Sequence, residues 1–441
     1  MSATDPYEPT HGCRTIHVEH YDLDLSYRVS TNRLTGTAVL RVQAREDLKE
    51  LALDLEGLTV KKVAVSGAAL AKYAHRQSRL RLKLADKVAA GTTFEVTVGY
   101  EGYPAPVPSA WGEVGWEELT DGVIVASQPI GASSWFPCND LPADKATYRT
   151  SVTTESAYRV LAHGTLAGRH VRAGTTRWVY EERHPTSAYL ATVQIGRYEE
   201  VVLAEGPVPQ RALVPAHLRG LAREKLAYHG QLMGELTAMF GPYPFSAYTL
   251  VFTDDELEIP VEAQGVSIFG TNHLAAQDGE ERLIPHELAH QWFGNSVSVD
   301  RWQHIWLNEG FACYAEWLWS PLAGGAGTDA LARTWHKHLA ADEQDLVLAD
   351  PGPTNIFDDR IYKRGAMTLH ALRLTVGDGV FFPLLRDWAA RYRYRGVTTD
   401  DFRALALEHA EAAGGDTLTR SVRSLLANWL DDARLPALPK A

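Results

Sequence analysis

Apolar and polar residues alternate with the two-residue period of a β-strand through much of the first two hundred positions. The alternation is clear at Tyr21–Tyr27, Leu51–Leu55 and Phe94–Tyr100, and each of these segments is bounded by Gly, Asn or Pro. Further strands are predicted at Thr147–Val152 and Thr186–Tyr198. No long helical pattern interrupts them, so this part of the chain is predicted to be a β domain.

The hydrophobic period changes near residue 216. Leu218–Phe240 has helical spacing, Tyr248–Thr253 is strand-like, and helices are predicted for most of the remaining chain. One of these helices, around Asp400–Ala412, is expected to begin behind Thr398 or Thr399 as its N-cap. The sequence therefore predicts an α+β protein with a boundary near residue 200, giving domains 1–200 and 201–441.

Composition and charge narrow the function classes. The 441 residues are 45% hydrophobic and 22% charged, which is ordinary globular composition. The formal net charge of −12 argues against nucleic acid as a partner, because binding phosphates requires a basic surface. Three scattered cysteines imply no disulfide framework, and neither a signal peptide nor an apolar run of 18 residues occurs. We expect a soluble cytoplasmic monomer that contacts no membrane.

The most specific motif is the run HELAHQWFGN, which has the form H-E-x-x-H. His286 and His290 are four residues apart, so on a helix both imidazoles lie on one face and can share a metal. Glu309 follows in WLNEGFA after eighteen intervening residues. Two histidines and a carboxylate are three protein ligands, the number that a catalytic zinc site uses with a fourth position open. We therefore predict one Zn²⁺ per chain, with Glu287 close to its bound water.

Pro285 directly precedes this motif. Proline inside a helix removes a hydrogen bond and clashes with the preceding turn. Because proline is tolerated in the first turn, we expect the helix to start late, with Pro285 in that turn.

The chain resembles the zinc aminopeptidases of the aminopeptidase N and leukotriene A4 hydrolase type (gluzincins). HELAHQWFGN with WLNEGFA is highly specific to that family. WFPCNDLPADKATY at Trp135–Tyr148 is similar to its FPC-x-D-x-P-x-x-K segment, and IYKRGAMTLHAL at Ile361–Leu372 is similar to its Y-x-K-G helix, with Arg364 where the family has Lys. The resemblance implies a β-saddle N-terminal domain and a thermolysin-like catalytic domain, in a short form without the helical C-terminal domain.

The resemblance also assigns roles at the reacting centre. Glu287 would be the general base that takes a proton from the attacking water and later delivers it to the leaving amine. Tyr362 matches the family's tyrosine that donates a hydrogen bond to the oxyanion. Taken alone, a tyrosine in a helical run is more often a core residue, and it is the IYKRGA context that favours the catalytic role.

The resemblance further implies a clamp for the free α-ammonium group of a peptide. Glu262 stands where the family has the glutamate of its G-A-M-E-N motif, although the flanking Gly, Ala, Met and Asn are replaced. Gln128 matches a second amine-contacting position. The alternative for Glu262 is a solvated loop acid beside the acidic run at 254–258. The lost glycine, replaced by Ile259, also changes how closely substrate backbone could approach.

Groups around the metal are less determined by sequence. Glu316 matches an acidic position of the family and is either a partner of a zinc ligand or an ordinary acid. His304 stands where relatives carry an Asp. A hydrogen-bond partner that this Asp would provide for a zinc-binding histidine must therefore be a different residue in this chain. Cys313 is expected to be a small core residue, and His273 and His370 are expected to be structural or surface residues.

Three functions remain open, and the leading one is a zinc aminopeptidase acting on peptides with a free N-terminus. A zinc oligopeptidase or endopeptidase with a weakened N-terminal clamp is the alternative within enzymes. A non-catalytic binding homologue is the alternative outside them, but such a role would not require His286, Glu287, His290, Glu309 and Tyr362 together.

Overall fold

The structure is a computed structural model, and it describes residues 4–275 and 282–440. Its contacts group the chain into two compact units, Met1–Ala227 with Phe245–Ala275, and Tyr228–Pro244 with Ala276–Ala441. The first unit extends beyond residue 200 because strands on both sides of residues 228–244 pair in one sheet. The predicted domain boundary near residue 200 stays a prediction.

The first unit is built mainly from strands. They are β1 (Ile16–Arg28), β2 (Arg33–Ala44), β3 (Leu48–Asp54), β4 (Thr59–Ser66), β5 (Leu70–Arg76), β6 (Arg79–Val88), β7 (Thr93–Gly102), β8 (Val107–Ser109), β9 (Gly112–Leu119), β10 (Gly122–Ala126), β11 (Lys145–Glu155), β12 (Arg159–Ala162), β13 (Thr165–Arg172), β14 (Thr175–Ser187), β15 (Val193–Gly196), β16 (Tyr198–Ala204), β17 (Gln210–Pro215), β18 (Tyr248–Phe252), β19 (Val261–Ala263) and β20 (Val266–Phe269). Two short helices, α1 (Arg219–Lys225) and α3 (Thr271–Ala275), complete the unit.

These strands form four sheets. The largest has the order β13-β14-β11-β1-β2-β7-β4, and a three-stranded sheet has the order β3-β6-β5. Two five-stranded sheets have the orders β12-β15-β10-β9-β8 and β16-β17-β18-β20-β19. Most neighbours are antiparallel, while β1 with β11, β17 with β18, and β18 with β20 run parallel.

Alternating burial explains why these segments are strands. In β2, Leu34, Ala38, Leu40 and Val42 are buried while the residues between them are largely exposed, so one face of the strand covers the core. Side chains of this kind from the neighbouring strands form one continuous apolar cluster within the unit. The predicted β-rich N-terminal region is confirmed.

One predicted strand is wrong in its continuity. Thr186–Tyr198 contains the end of β14, a 3-10 turn at Ala188–Leu190, all of β15 and the first residue of β16. These three strands belong to three different sheets, so the chain has to change direction inside a segment whose composition is uniformly strand-like.

The second unit is mainly helical. Its helices are α2 (His229–Phe240), α4 (Leu283–His290), α5 (Trp306–Trp319), α6 (Thr328–Leu339), α7 (Asp359–Val376), α8 (Asp378–Arg391) and α9 (Thr399–Leu430). Two short strands, β21 (Ser298–Val299) and β22 (Gly396–Val397), pair in parallel. A β-rich region followed by a helical one is the predicted α+β class, which is confirmed.

The helix boundaries correct two expectations. The predicted helix Leu218–Phe240 is two helices, because the backbone leaves helical geometry at Leu226 (φ −100°, ψ 11°). The helix predicted around Asp400–Ala412 is longer: α9 runs to Leu430 with a kink at Gly415, whose φ is 56°. Thr398 is its N-cap and forms a capping box with Asp401, as one of the two predicted caps. Pro285 lies in the first turn of α4, as the late start requires.

Within residues 4–275 and 282–440, no helix combines the length and the apolar composition needed to span a membrane.

Candidate metal centre

Four side chains of the H-E-x-x-H motif and its downstream glutamate are buried in the second unit. His286, Glu287 and His290 lie on α4 with exposed fractions of 7%, 3% and 1%. Glu309 lies in the first turn of α5, with 2% exposed. Burying two imidazoles and two carboxylates is costly unless they are paired or bind a metal. The set therefore needs a physical explanation beyond packing.

The ligand atoms converge on one point. Nε2 of His286 and Nε2 of His290 lie 3.6 and 3.4 Å from the same Oε2 atom of Glu309. One ligand atom from each of the three residues lies within 4.8 Å of the other two. Two atoms that each sit about 2.1 Å from a tetrahedral zinc ion are about 3.4 Å apart. The two nitrogens and one oxygen thus fit one zinc ion.

Hydrogen bonds on the far side of each ring orient both imidazoles. Nδ1 of His286 lies 2.8 Å from Oε1 of Glu316, and Nδ1 of His290 lies 3.1 Å from the carbonyl oxygen of Phe293. A proton on Nδ1 leaves the Nε2 lone pair free for a metal, and such partners also raise the basicity of the ligand. Of the two possibilities for Glu316, the contact supports the partner of a zinc ligand.

The charges of the site are strongly coupled. Burial lowers the pKa of His286, but hydrogen bonds with Glu309 and Glu316 outweigh burial and raise the pKa to about 8. Burial raises the pKa of Glu309, but His290 and His286 outweigh it and lower the pKa to about 2. The metal-free site therefore retains a proton near neutral pH, and zinc must displace it. Zinc affinity is expected to rise with pH for that reason.

Two cationic side chains near Glu316, those of Arg282 and Lys363, were not predicted from the sequence. Nη1 of Arg282 lies 3.0 Å from Oε2 of Glu316. Nζ of the buried Lys363 lies 3.4 Å from Sγ of Cys313 and 4.7 Å from the centre of the Trp335 ring. Burial raises the pKa of Glu316, but the His286 hydrogen bond and the charges of Lys363 and Arg282 outweigh it and lower the pKa. Lys363 follows Tyr362 directly in IYKRGA, and the apolar Ala366 and Met367 one turn later on the same helix face were the available signal that Lys363 is buried.

Replacing Glu316 with glutamine is expected to weaken zinc binding by about 10–100-fold, the usual effect of losing a partner behind a ligand. The amide can still accept a hydrogen bond from His286, but it carries no charge to offset Arg282. Competition with a chelator of known affinity measures the change. Glu343→Gln, at an exposed position of the same unit, is the control. Unchanged zinc affinity in Glu316→Gln would contradict the assigned role.

The ring of Tyr362 lies beside one of the metal ligands. It lies in the first turn of α7, is half-buried, and stacks on His286 with ring centroids 6.0 Å apart and an interplanar angle of 21°. Within the second unit, His286, Glu287, His290, Glu309 and Tyr362 therefore lie together.

The other two predicted residues, Gln128 and Glu262, lie in the first unit. Gln128 follows β10 and is half-buried. Glu262 is in the middle of β19, opposite Ser267 of β20, and is 6% exposed. Because Glu262 is a buried strand residue, the alternative of a solvated loop acid is wrong. Its role towards a substrate amine stays a prediction.

The remaining singled-out residues are structural. His304 Nδ1 lies 3.0 Å from the Thr399 hydroxyl at the start of α9, and Trp306 donates its indole N–H to the same hydroxyl at 3.0 Å. Cys313 is fully buried, as expected of a core residue. His370 is buried between Tyr314 and Asp329, 3.2 Å from each.

Comparisons with known proteins identify the family. The peptidase M1 N-terminal domain matches residues 17–190, and the peptidase family M1 domain matches residues 231–429. Aminopeptidase B of Mus musculus is 27% identical over 305 residues, which cover 65% of this chain and 46% of that protein. Leucine aminopeptidase 2 of Coccidioides immitis (strain RS) is 23% identical over 423 residues, covering 90% of this chain and 67% of that protein. The chain thus spans about half the length of aminopeptidase B.

Solved structures match over the whole chain. The M1 zinc metallopeptidase of Deinococcus radiodurans is 29% identical with a TM-score of 0.86, and each chain is covered to 100%. A mutant of the Deinococcus radiodurans M1 zinc metallopeptidase with a bound Tyr-Ser-Ala substrate is 28% identical, with a TM-score of 0.88 and 100% coverage of both chains. A mutant of a two-domain M1 zinc metallopeptidase with bound L-arginine has the same identity, TM-score and coverage. With both domains of the family matched in order and the fold shared from end to end, the chain belongs to the peptidase M1 family.

Proposed function

We propose that the protein is a zinc-dependent aminopeptidase that hydrolyses the N-terminal peptide bond of peptides. The observation that carries this proposal is the convergence of His286, His290 and Glu309 on one point, with Glu287 on the same helix as the two histidines. Relatives named aminopeptidase B and leucine aminopeptidase 2, and a related structure with a Tyr-Ser-Ala substrate, support a peptide as the substrate.

Zinc, when bound, would supply a Lewis acid and would lower the pKa of a bound water to about 7. His286, His290 and Glu309 would hold the zinc ion, and Glu316 and the Phe293 carbonyl would orient the two rings through their Nδ1 protons.

Glu287 is the general base in this proposal. Its carboxylate takes the proton of the attacking water and then delivers that proton to the nitrogen of the leaving amine. Glu287 directly follows His286 on α4. Its side chain is therefore on the part of the helix surface next to the face that carries the two histidines, and not on that face itself. Burial in a site that excludes bulk water strengthens its interaction with the developing charge.

Tyr362 is the oxyanion donor. As the peptide carbonyl becomes tetrahedral, its oxygen gains negative charge and needs a hydrogen-bond donor in a fixed position. Stacking on His286 supports this role, since it holds the phenol beside a zinc ligand.

Glu262, with Gln128, is proposed to bind the α-ammonium group of the substrate. An unpaired cation entering a buried site is costly, and a carboxylate offsets that cost. Glu262 is buried and held in a paired strand, which suits a fixed anchor. An anchor at the amine also sets which peptide bond reaches the catalytic groups.

Whether the N-terminal amine of a peptide is free should therefore determine how fast the peptide is cleaved. We expect a peptide amide with a free N-terminus to be cleaved far faster than its N-acetylated twin, because acetylation removes the charge that Glu262 binds. Glu262→Gln should raise KM for the free-amine peptide and lower kcat by misplacing the scissile bond. The measurement is kcat and KM on both peptides, with Glu256→Gln on the exposed preceding loop as control.

Equal kcat/KM for the two peptides would sink the aminopeptidase proposal. It would favour a zinc oligopeptidase or endopeptidase, which shares the metal chemistry. No turnover of either peptide by zinc-loaded protein would favour the binding homologue instead. A panel of aminoacyl fluorogenic amides, with and without chelator, then defines the preferred N-terminal residue.

We also propose that the protein acts in the cytoplasm as a monomer, without a nucleic acid or membrane partner. The net charge of −12 and the three free cysteines support this. Light scattering on the purified protein tests the oligomeric state, and cell fractionation tests the location.

A further inference from the structure

Helices α5 and α7 touch through the backbones of two glycines. A Cβ atom added to Gly310 would lie 2.7 Å from the Cα atom of Gly365, and one added to Gly365 would lie 2.7 Å from the Cα atom of Gly310. A Cβ on Gly365 would also lie 3.6 Å from the carbonyl oxygen of Trp306. The nearest atoms on both sides are backbone, so no flexible side chain can move away to make room. Only glycine permits this approach.

Each glycine is adjacent to a group of the proposed active site. Gly310 directly follows the ligand Glu309 on α5. Gly365 lies three residues after Tyr362 on α7, and residues three apart share a helix face. The Gly310–Gly365 crossing therefore fixes the distance between the helix of a metal ligand and the helix of the phenol.

Contacts on the neighbouring residues of α7 prevent the helix from shifting sideways. Lys363 contacts Cys313 of α5, as described above. The Arg364 guanidinium donates to four carbonyl oxygens, those of Leu346 at 3.1 Å, Trp429 at 3.1 Å, Ala433 at 2.7 Å, and Asp432. Because α7 is held on both sides, a methyl group at the crossing would have to be accommodated by separating α7 from α5.

We propose that Gly310 and Gly365 are positioning residues for catalysis, which set the placement of the Tyr362 hydroxyl relative to the metal site. This inference rests on the proposed oxyanion role of Tyr362. The zinc ligands lie on α4 and α5, so they keep their places when α7 moves. The chemical step should suffer, while zinc binding should not.

The size of the effect follows from contact distances. Carbon atoms pack at about 3.5–4.0 Å, so a gap of 2.7 Å must open by about 1 Å. A misplacement of about 1 Å at the reacting centre costs roughly 10²-fold in rate. Gly365→Ala should therefore lower kcat about 100-fold, with KM and zinc content close to those of the natural protein.

The experiment compares four proteins as zinc-loaded full chains: natural, Gly365→Ala, Tyr362→Phe and the double variant. Tyr362→Phe should lose roughly 10²–10³-fold in kcat, the loss expected for one oxyanion donor. If Gly365 acts through Tyr362, adding Gly365→Ala to Tyr362→Phe should lower kcat by much less than 100-fold, because the shared contribution is already lost. A crystal structure of Gly365→Ala should show the rings of Tyr362 and His286 more than 6.0 Å apart.

Gly234→Ala is the matched control. Gly234 lies inside α2 of the same unit, and nothing lies within 4 Å of an added Cβ atom. Alanine is the better helix former, so this variant should keep full activity and raise the melting temperature. The same change is added to the Gly365→Ala protein if that protein is too unstable to assay.

The outcomes separate the two claims. Full activity of Tyr362→Phe would overturn the oxyanion role and this inference with it. A damaged Tyr362→Phe with an undamaged Gly365→Ala, or full additivity in the double variant, would overturn the positioning role alone. Failure of Gly365→Ala to fold, even with Gly234→Ala added, would also overturn it, since the crossing would then be a requirement of folding and not of Tyr362 placement.

Discussion

Glu287→Gln should bind zinc normally, unfold at nearly the natural temperature and lose several orders of magnitude in kcat. Glutamine has the size of glutamate and occupies the same buried space, so packing around α4 is preserved. Its amide cannot accept a proton at neutral pH. The expected loss is at least the roughly 10²–10⁴-fold that a positioned general base contributes.

The test requires zinc analysis, a melting curve and steady-state kinetics on the same preparation. Glu224→Gln, an identical change at an exposed position of α1, should be indistinguishable from the natural protein in all three. Loss of zinc from Glu287→Gln would mean that Glu287 helps to hold the metal, and its assignment as base would then be wrong.

His286→Ala should lose zinc and activity together. It removes one of three protein ligands and leaves Glu309 and Glu316 buried with fewer partners. Elemental analysis should fall from about one zinc per chain to none. Bound zinc stabilises the folded state by mass action, by about 2.7 kcal/mol when free zinc is 100 times its dissociation constant. In the natural protein a chelator should therefore lower the melting temperature, whereas in His286→Ala it should have no effect.

His170→Ala, on the exposed edge strand β13, controls for the loss of a histidine as such. It should keep both zinc and the chelator-dependent shift. A natural protein without zinc after expression with ample metal would refute the metal site altogether. Zinc retained by His286→Ala would refute this ligand assignment only.

The parts of the candidate site that could be predicted from the sequence are local or carry a specific motif. His286 and His290 are four residues apart, and helical geometry alone brings them to one face. Glu309 and Tyr362 are distant in sequence, and only the resemblance to a known family placed them with the histidines. The α+β class and the family are both confirmed. Both could be predicted because a single sequence is enough to show the alternation of a strand and the spacing of a motif.

What sequence missed depends on contacts between distant elements. Nothing near Gly365 indicates that its partner is Gly310, fifty-five positions earlier. The choice of Glu316 as the partner of His286 was left open, because two turns of helix separate it from Glu309 and only packing of α4 on α5 settles it. The interruption at Leu226 occurs where the hydrophobic period continues, so periodicity could not reveal it. The continuation of α9 past the kink at Gly415 was missed because the apolar period stops near the Gly414-Gly415 pair.

The pair of His304 and Thr399 has a consequence for sequence variation among relatives. Burial lowers the pKa of His304 and so favours the neutral ring, in which Nδ1 can accept a hydrogen bond from the Thr399 hydroxyl. An aspartate at position 304, the residue of the family pattern, would offer an acceptor of the same kind to the amino end of α9. His304 thus replaces one hydrogen-bond acceptor with another, and the hydrogen bond to the start of α9 is kept. We expect positions 304 and 399 to covary across the family, with residues at 399 that donate a hydrogen bond wherever 304 accepts one.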